Sequence, residues 1–351
     1  MAINKGIVGI GESSTPVVPS DNFDAVLYTG GSQATVSLSF EPDFIWLKSR
    51  GGSYGHMLFD SVRGIDLPND YYLQSNTTAA QITHTNRFTL NGNSMTIPVG
   101  SNSINSSNGS PYVIWYWKAG GAAVSNTDGT ITSQVSANVD AGFSIVKYTG
   151  NGNTAQQSYG HGLSSAPELL ITKNMDTLTL GTSSWVVGGT LLGNGGYMLL
   201  NRTNAKNTAS SYNGNEVPDS EVIYTSGTSD LVGNQNNKNF ITYAFHSVDG
   251  FSKIGTYVGN GSTTGPIINT GFTPAWIMFK PTTATGYWFI LDNKRSTTNP
   301  RNEGLFPNDL LNEITNTSYN VDFNSNGFQP KNNTIGFNQN GQTYIFMAFA
   351  E

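Results

Sequence analysis

"GFSIVKYTGNGNT" at residues 142–154 and "GFSKIGTYVGNGSTT" at 250–264 use nearly the same words. Each reads as a strand, a glycine-asparagine turn and the start of a second strand, which is the pattern of a β-hairpin. A chain that repeats such a pattern is built from repeated modules, so the search for repeats comes first.

Three segments share an extended run with a proline six residues before a lysine. They are "FEPDFIWLKSR" (Pro42, Lys48), "SAPELLITKNM" (Pro167, Lys173) and "FTPAWIMFKPT" (Pro274, Lys280). Each is followed by an aromatic strand, "YVIWYWKAGG" from Tyr112, "FITYAFHSVDG" from Phe240 and "YIFMAFAE" from Tyr344. The proline-to-strand offsets are 70, 73 and 70 residues. The first and third copies also share an Asp-x-x-Arg, Asp60 with Arg63 and Asp292 with Arg295, where the second copy has glycines.

The closing strands are apolar at nearly every position, as expected of strands buried on both faces. Proline ahead of the lysine suits the first residue of a strand, where no ladder donor is needed. No stretch reads as a convincing amphipathic helix, and the best candidate, "NDLLNEI" at 308–314, is short. The expected fold is therefore all-β: three tandem antiparallel β-sandwich (jelly-roll-like) units of about 100 residues with an extended N-terminal arm. The divisions are an attachment arm over 1–21, units over 22–121, 142–249 and 250–351, and a polar linker over 122–141. The absence of a connection at "HSVDGFSK" predicts tight packing of the second and third units, with the first on a longer tether.

Composition narrows the function classes. Charged residues are 11% of the chain, well below the roughly 25% of ordinary globular proteins. The 16 Tyr, 18 Phe and 6 Trp separate it from disordered chains. A net charge of −6 with scattered Lys and Arg argues against nucleic-acid binding. Zero Cys removes disulfides, thiolate nucleophiles and zinc-thiolate sites. Neither a secretion signal nor an apolar run of membrane-spanning length is visible, so no membrane insertion is expected.

No residue pattern asks for catalysis or a cofactor. His56, His84, His161 and His246 have no ligand-like spacing. Asp60 and Asp292 lack the second carboxylate that glycoside hydrolysis uses. Each is read as capping a turn and pairing with its arginine. Lys48, Lys173 and Lys280 are read as strand exits with packed stems and ammonium groups in water. "GIVGIG" at 6–11 lacks a phosphate-loop context. A calcium turn at "NTDGT" (126–130) lacks spaced carboxylates. Tyr71 and Tyr72, placed in a loop-like setting beside Asn and Ser, are candidate glycan contacts.

The long words "FEPDFIWLKSRGGSYGHMLFDSVRG", "SNTDGTITSQVSANVDAGFSIVKYTGNGNT" and "GFSKIGTYVGNGSTTGPIINTGFTPAWIMFKP" resemble a repeat-domain family of virion structural, tail-fibre-like proteins of marine and cyanobacterial tailed bacteriophages. The resemblance covers about residues 22–351 and brings no catalytic residues with it. It implies a non-enzymatic virion surface protein, made in the host bacterial cytoplasm. Tail fibre or spike comes first and capsid decoration or head fibre second. A polysaccharide depolymerase ranks last. The expected partners are other virion proteins through residues 1–21, a host surface glycan or protein, and further copies of the chain, most simply in a trimer.

Overall fold

The computed structural model describes residues 16–65, 70–85, 87–100, 103–177, 183–209, 212–227 and 233–351. Most of the predicted arm, residues 1–15, and Leu67–Asn69 of the "LPND" echo lie outside the described residues. The fold is all-β, with antiparallel sheets throughout and only four short 3-10 turns among the described residues. Residues 308–314 are not helical, and Ile314 instead enters a short strand.

Each repeat builds the same four-stranded ladder. The opening strands are Phe23–Thr29, Phe143–Thr149 and Ser252–Val258, and each pairs with its closing strand, Pro111–Trp117, Asn239–Phe245 or Thr343–Ala350. The closing strand pairs in turn with the lysine strand, Phe44–Ser49, Leu169–Asn174 or Pro274–Pro281. The lysine strand then pairs with Met57–Asp60, Val186–Gly188 or Phe289–Asp292. Pro274 opens its strand as expected, whereas Pro42 and Pro167 stand two residues ahead of theirs. A smaller sheet faces each ladder. It comprises Ala34–Ser37, Ser94–Ile97 and Thr89–Leu90 in the first unit, Gln157–Gly160 and Val222–Thr225 in the second, and Ile268–Asn269, Gly327–Pro330 and Val321–Asn324 in the third.

The repeated glycine-asparagine words do not make hairpins. After Val258 the chain leaves the ladder, and Ile268–Asn269 joins the facing sheet, as Gln157–Gly160 does after Thr149. The turn is a corner between sheets. A fully buried asparagine holds each corner. Asn338 Oδ1 accepts the Asn260 N–H at 2.8 Å, and its Nδ2 donates to Asn260 Oδ1 and the Ser262 carbonyl. Asn234 does the same with Asn151 and Asn153, and Asn105 with Gly31 and Ser32. The tyrosine before each corner, Tyr28, Tyr148 or Tyr257, donates its hydroxyl to the carbonyl just ahead of that asparagine.

The linker expectation over 122–141 is corrected. Val124–Asn126 pairs with Ser133–Asn138, which pairs with the opening strand Phe143–Thr149, so this segment extends the second unit's ladder. In the first and third units the opening strand is itself the ladder edge. The added strands cover a row of backbone groups that would otherwise be free to pair with another chain.

The larger surprise is where the ladders point. One face of each is covered by its own smaller sheet, through Ile45, Ile114 and Tyr116 in the first unit and Ile277, Phe279 and Phe346 in the third. The opposite faces of all three meet in one central core. That core holds Trp46, Trp115, Trp117, Trp185, Trp276 and Trp288, all six tryptophans of the chain, each at most 1% exposed. The first unit is therefore not tethered apart from the other two. A large apolar side chain contributes roughly 1.5–3 kcal/mol on burial, so separating any one unit would expose several such groups at once.

Candidate functional site

The three units close into a ring with three seams, and the repeated polar residues sit in them. Each seam uses the same devices. A ring nitrogen of one unit meets a carbonyl of its neighbour: Trp185 Nε1 donates to the Gln74 carbonyl at 2.9 Å, and Trp288 Nε1 to the Leu199 carbonyl at 3.0 Å. In the third seam His56 takes the tryptophan's place and faces the Phe306 carbonyl, short of hydrogen-bond geometry. Seven residues beyond each of those carbonyls, a backbone N–H answers across the seam. Gln81 donates to the Met175 carbonyl, Lys206 to Thr282 and Glu313 to Arg50, each at 2.8–3.0 Å.

Asp60 and Asp292 do cap their turns and hold their arginines, as read from the sequence. Asp60 Oδ1 accepts the Arg63 N–H at 2.8 Å and Oδ2 accepts Arg63 Nε at 2.5 Å; Asp292 and Arg295 repeat both distances. All four side chains are buried. The sequence did not show that each aspartate also binds the next unit's closing strand. Tyr243 donates its hydroxyl to Asp60 Oδ2 at 2.7 Å, and Trp115 Nε1 donates to Asp292 Oδ2 at 2.9 Å. Burial opposes the charge on both arginines, but Asp60 with Tyr243 at Arg63, and Asp292 with Glu313 at Arg295, together raise the pKa of each. Burial drives Tyr243 well above the ordinary tyrosine value and keeps it a donor.

Strand registers align Asp60 and Asp292 with Gly189, and Tyr243 and Trp115 with Met347. Acceptor and donor are thus absent together in the second-to-third seam. Gly189 lies at φ 117°, and a Cβ there would come 2.3 Å from the Glu168 carbonyl oxygen. The backbone itself excludes an aspartate.

The lysine expectation is overturned. Lys48, Lys173 and Lys280 are at most 1% exposed, on the ladder face that turns to the central core. Each ammonium nitrogen reaches two protein oxygens: the Ser49 and Gly52 carbonyls, the Asn174 carbonyl and Ser183 hydroxyl, and the Thr203 and Gly286 carbonyls. Desolvation lowers all three to about 7. Two oxygens on each nitrogen offset part of the cost of burying it.

Tyr71 and Tyr72 lie in the strand Asp70–Gln74, not in a loop. Tyr72 is buried with the Arg87 guanidinium 4.9 Å over its ring, which removes it as a glycan contact. Tyr71 is half-buried and lines a polar cavity of about 260 Å³ between the first and second units. His161 is buried, its Nδ1 accepting the Leu163 N–H and its Nε2 against the Asp219 carbonyl, while His84 is exposed. Among the described residues no three His, Asp or Glu side chains converge as a metal site. In the turn at 126–130, Asn126 and Asp128 bond to each other. No helix among the described residues is long and apolar enough to cross a membrane.

The seam residues Gln81, Glu313, Lys206 and the corner residues Asn105, Asn234 and Asn338 were not singled out from sequence. Their near-constant offset, seven, six and six residues before Tyr112, Phe240 and Tyr344, would have found the asparagines. The seam residues had no such signal, because their side chains differ while only their backbones repeat. A family described as a domain of unknown function, DUF7483, matches residues 18–351. No curated protein matches the chain.

Proposed function

The chain belongs to the DUF7483 family, and we propose that it serves as a non-enzymatic surface component of a bacteriophage particle, as a tail fibre or spike subunit that contacts the host surface. One observation carries the reading: the repeated ionisable residues are buried inside the body, with both Asp–Arg pairs in its seams. Asp60, Asp292 and their arginines are saturated inside seams, and the three lysines are buried. What remains outside is a rigid three-lobed body whose turns are rich in uncharged Asn, Ser and Thr, suited to contact rather than turnover. The sequence resemblance to tail-fibre-like proteins supports the same reading. Head decoration is the second reading, favoured by the quasi-threefold ring within one chain, which suits a threefold position on a shell without further copies. Antibody labelling of intact particles with copy counting tests both. Tail labelling at low copy number supports the first, and hundreds of copies on the head support the second. Absence from particles overturns both.

A further inference from the structure

The two seams that carry an Asp-x-x-Arg differ beside the arginine. Between the third and first units, Glu313 fills the space beside the arginine. Its carboxylate accepts Arg295 Nη1 at 2.8 Å and takes Arg50 Nε and Nη2 at 2.9 and 2.7 Å. Between the first and second units the positions of Glu313 and Arg50 are held by Gln81 and Met175. Neither reproduces the contact. Arg63 Nη1 and Gln81 Oε1 are both buried, and neither has a hydrogen-bond partner among the described residues. Both residues line the 260 Å³ cavity, together with Tyr71, Lys147, Asp176 and Asn239.

An unpaired guanidinium N–H and an unpaired amide oxygen cost free energy when buried unless something completes them. We propose that this cavity is a subsite for a neutral, hydroxyl-bearing ligand, a single sugar ring of a glycan. The chemistry of the walls selects that class. Arg63 needs an acceptor and Gln81 needs a donor, and a hydroxyl is both, whereas a carboxylate cannot donate and an ammonium cannot accept. The formal charges already cancel, Arg63 against Asp60 and Lys147 against Asp176, so a charged ligand gains nothing overall. Tyr71 adds a half-exposed aromatic wall for the C–H face of a sugar. The volume lies just under the roughly 300–1,000 Å³ of sites for drug-sized ligands, which fits one ring and not a chain.

The subsite deepens the attachment reading by giving it a ligand class, but its test needs no virus particle. The full chain, labelled with ¹⁵N, is titrated with glucose, galactose and N-acetylglucosamine at millimolar concentration, with glucuronate as the acidic control. Shifts centred on Tyr71, Gln81 and Asn239 are expected with at least one neutral sugar and are weaker with glucuronate. Gln81→Glu should place a carboxylate on Arg63 as Glu313 does on Arg295, occupy the N–H that the sugar would bond and weaken sugar binding at least ten-fold while the fold is kept. Three results overturn the proposal: no shifts with any neutral sugar, which leaves an ordered water only; glucuronate binding better than the neutral sugars; or undiminished binding by Gln81→Glu. Particle labelling fails or succeeds independently of all three.

Discussion

Asp60→Ala and Asp292→Ala remove the same side chain from matching places, yet the structure predicts unequal costs. Asp60→Ala strips Arg63 of the one carboxylate it pairs with among the described residues and takes the acceptor from the Tyr243 hydroxyl. Leaving a buried charge without its partner costs about 3–5 kcal/mol. Asp292→Ala removes the equivalent pair and the acceptor of Trp115, but Arg295 keeps Glu313 at 2.8 Å. Its loss should therefore be smaller, by about 1–2 kcal/mol on the scale of one charge-assisted hydrogen bond. Gln81→Glu supplies the missing reserve. The double variant Asp60→Ala, Gln81→Glu should recover about 1–2 kcal/mol relative to Asp60→Ala, a coupling that only neighbouring sites show. Urea unfolding of wild type, the three single variants and the double, followed by circular dichroism, reads all five values. Equal losses at Asp60 and Asp292, or additivity in the double variant, would refute the reasoning.

Three further outcomes follow from the same geometry. Lys48, Lys173 and Lys280 have folded pKa values lowered to about 7 from 10.5. Between those values the unfolded chain holds more protons, so stability should rise from pH 7 toward pH 10 and stay flat in this contribution below 7. Urea midpoints across that range check it, and replacing all three lysines with methionine should abolish the rise. Gly189→Asp, which restores the repeat's consensus residue, should destabilise the protein because its backbone conformation and the Glu168 carbonyl exclude a side chain; a gain in melting temperature would contradict this. Asn338→Ala should cost about 2–3 kcal/mol through the three bonds it makes at the corner, whereas exposed Asn340→Ala should change stability little.

The strands were legible in the sequence because alternation and aromatic runs report local burial. The closing strands read as buried on both faces, and they are: Trp115 and Trp117 face one core while Tyr112, Ile114 and Tyr116 face another. What covers each face was not legible. The same run fits a sandwich standing alone or a ladder shared among three, and only the registers and seams separate the two. The lysines mislead for a related reason. A lysine ending an apolar strand ordinarily snorkels to water, but here the neighbouring unit closes over it, as the Thr203 carbonyl of the second unit does over Lys280. The corners were mistaken for hairpins because glycine-asparagine signals a turn without saying which sheet the chain enters next. Tyr71 was picked out by composition and landed beside a cavity, while Tyr72, one residue on, points to the opposite face of the strand and is buried.

The central claim is that three repeats form one cooperative body around a shared tryptophan core. Equilibrium unfolding of the full chain, followed in parallel by tryptophan fluorescence and far-ultraviolet circular dichroism, tests it most directly. All six indoles report the central core and the circular dichroism reports every strand, so the account predicts one transition with coincident midpoints. Two or three separated transitions, with strand signal persisting after the tryptophans are exposed, would contradict it.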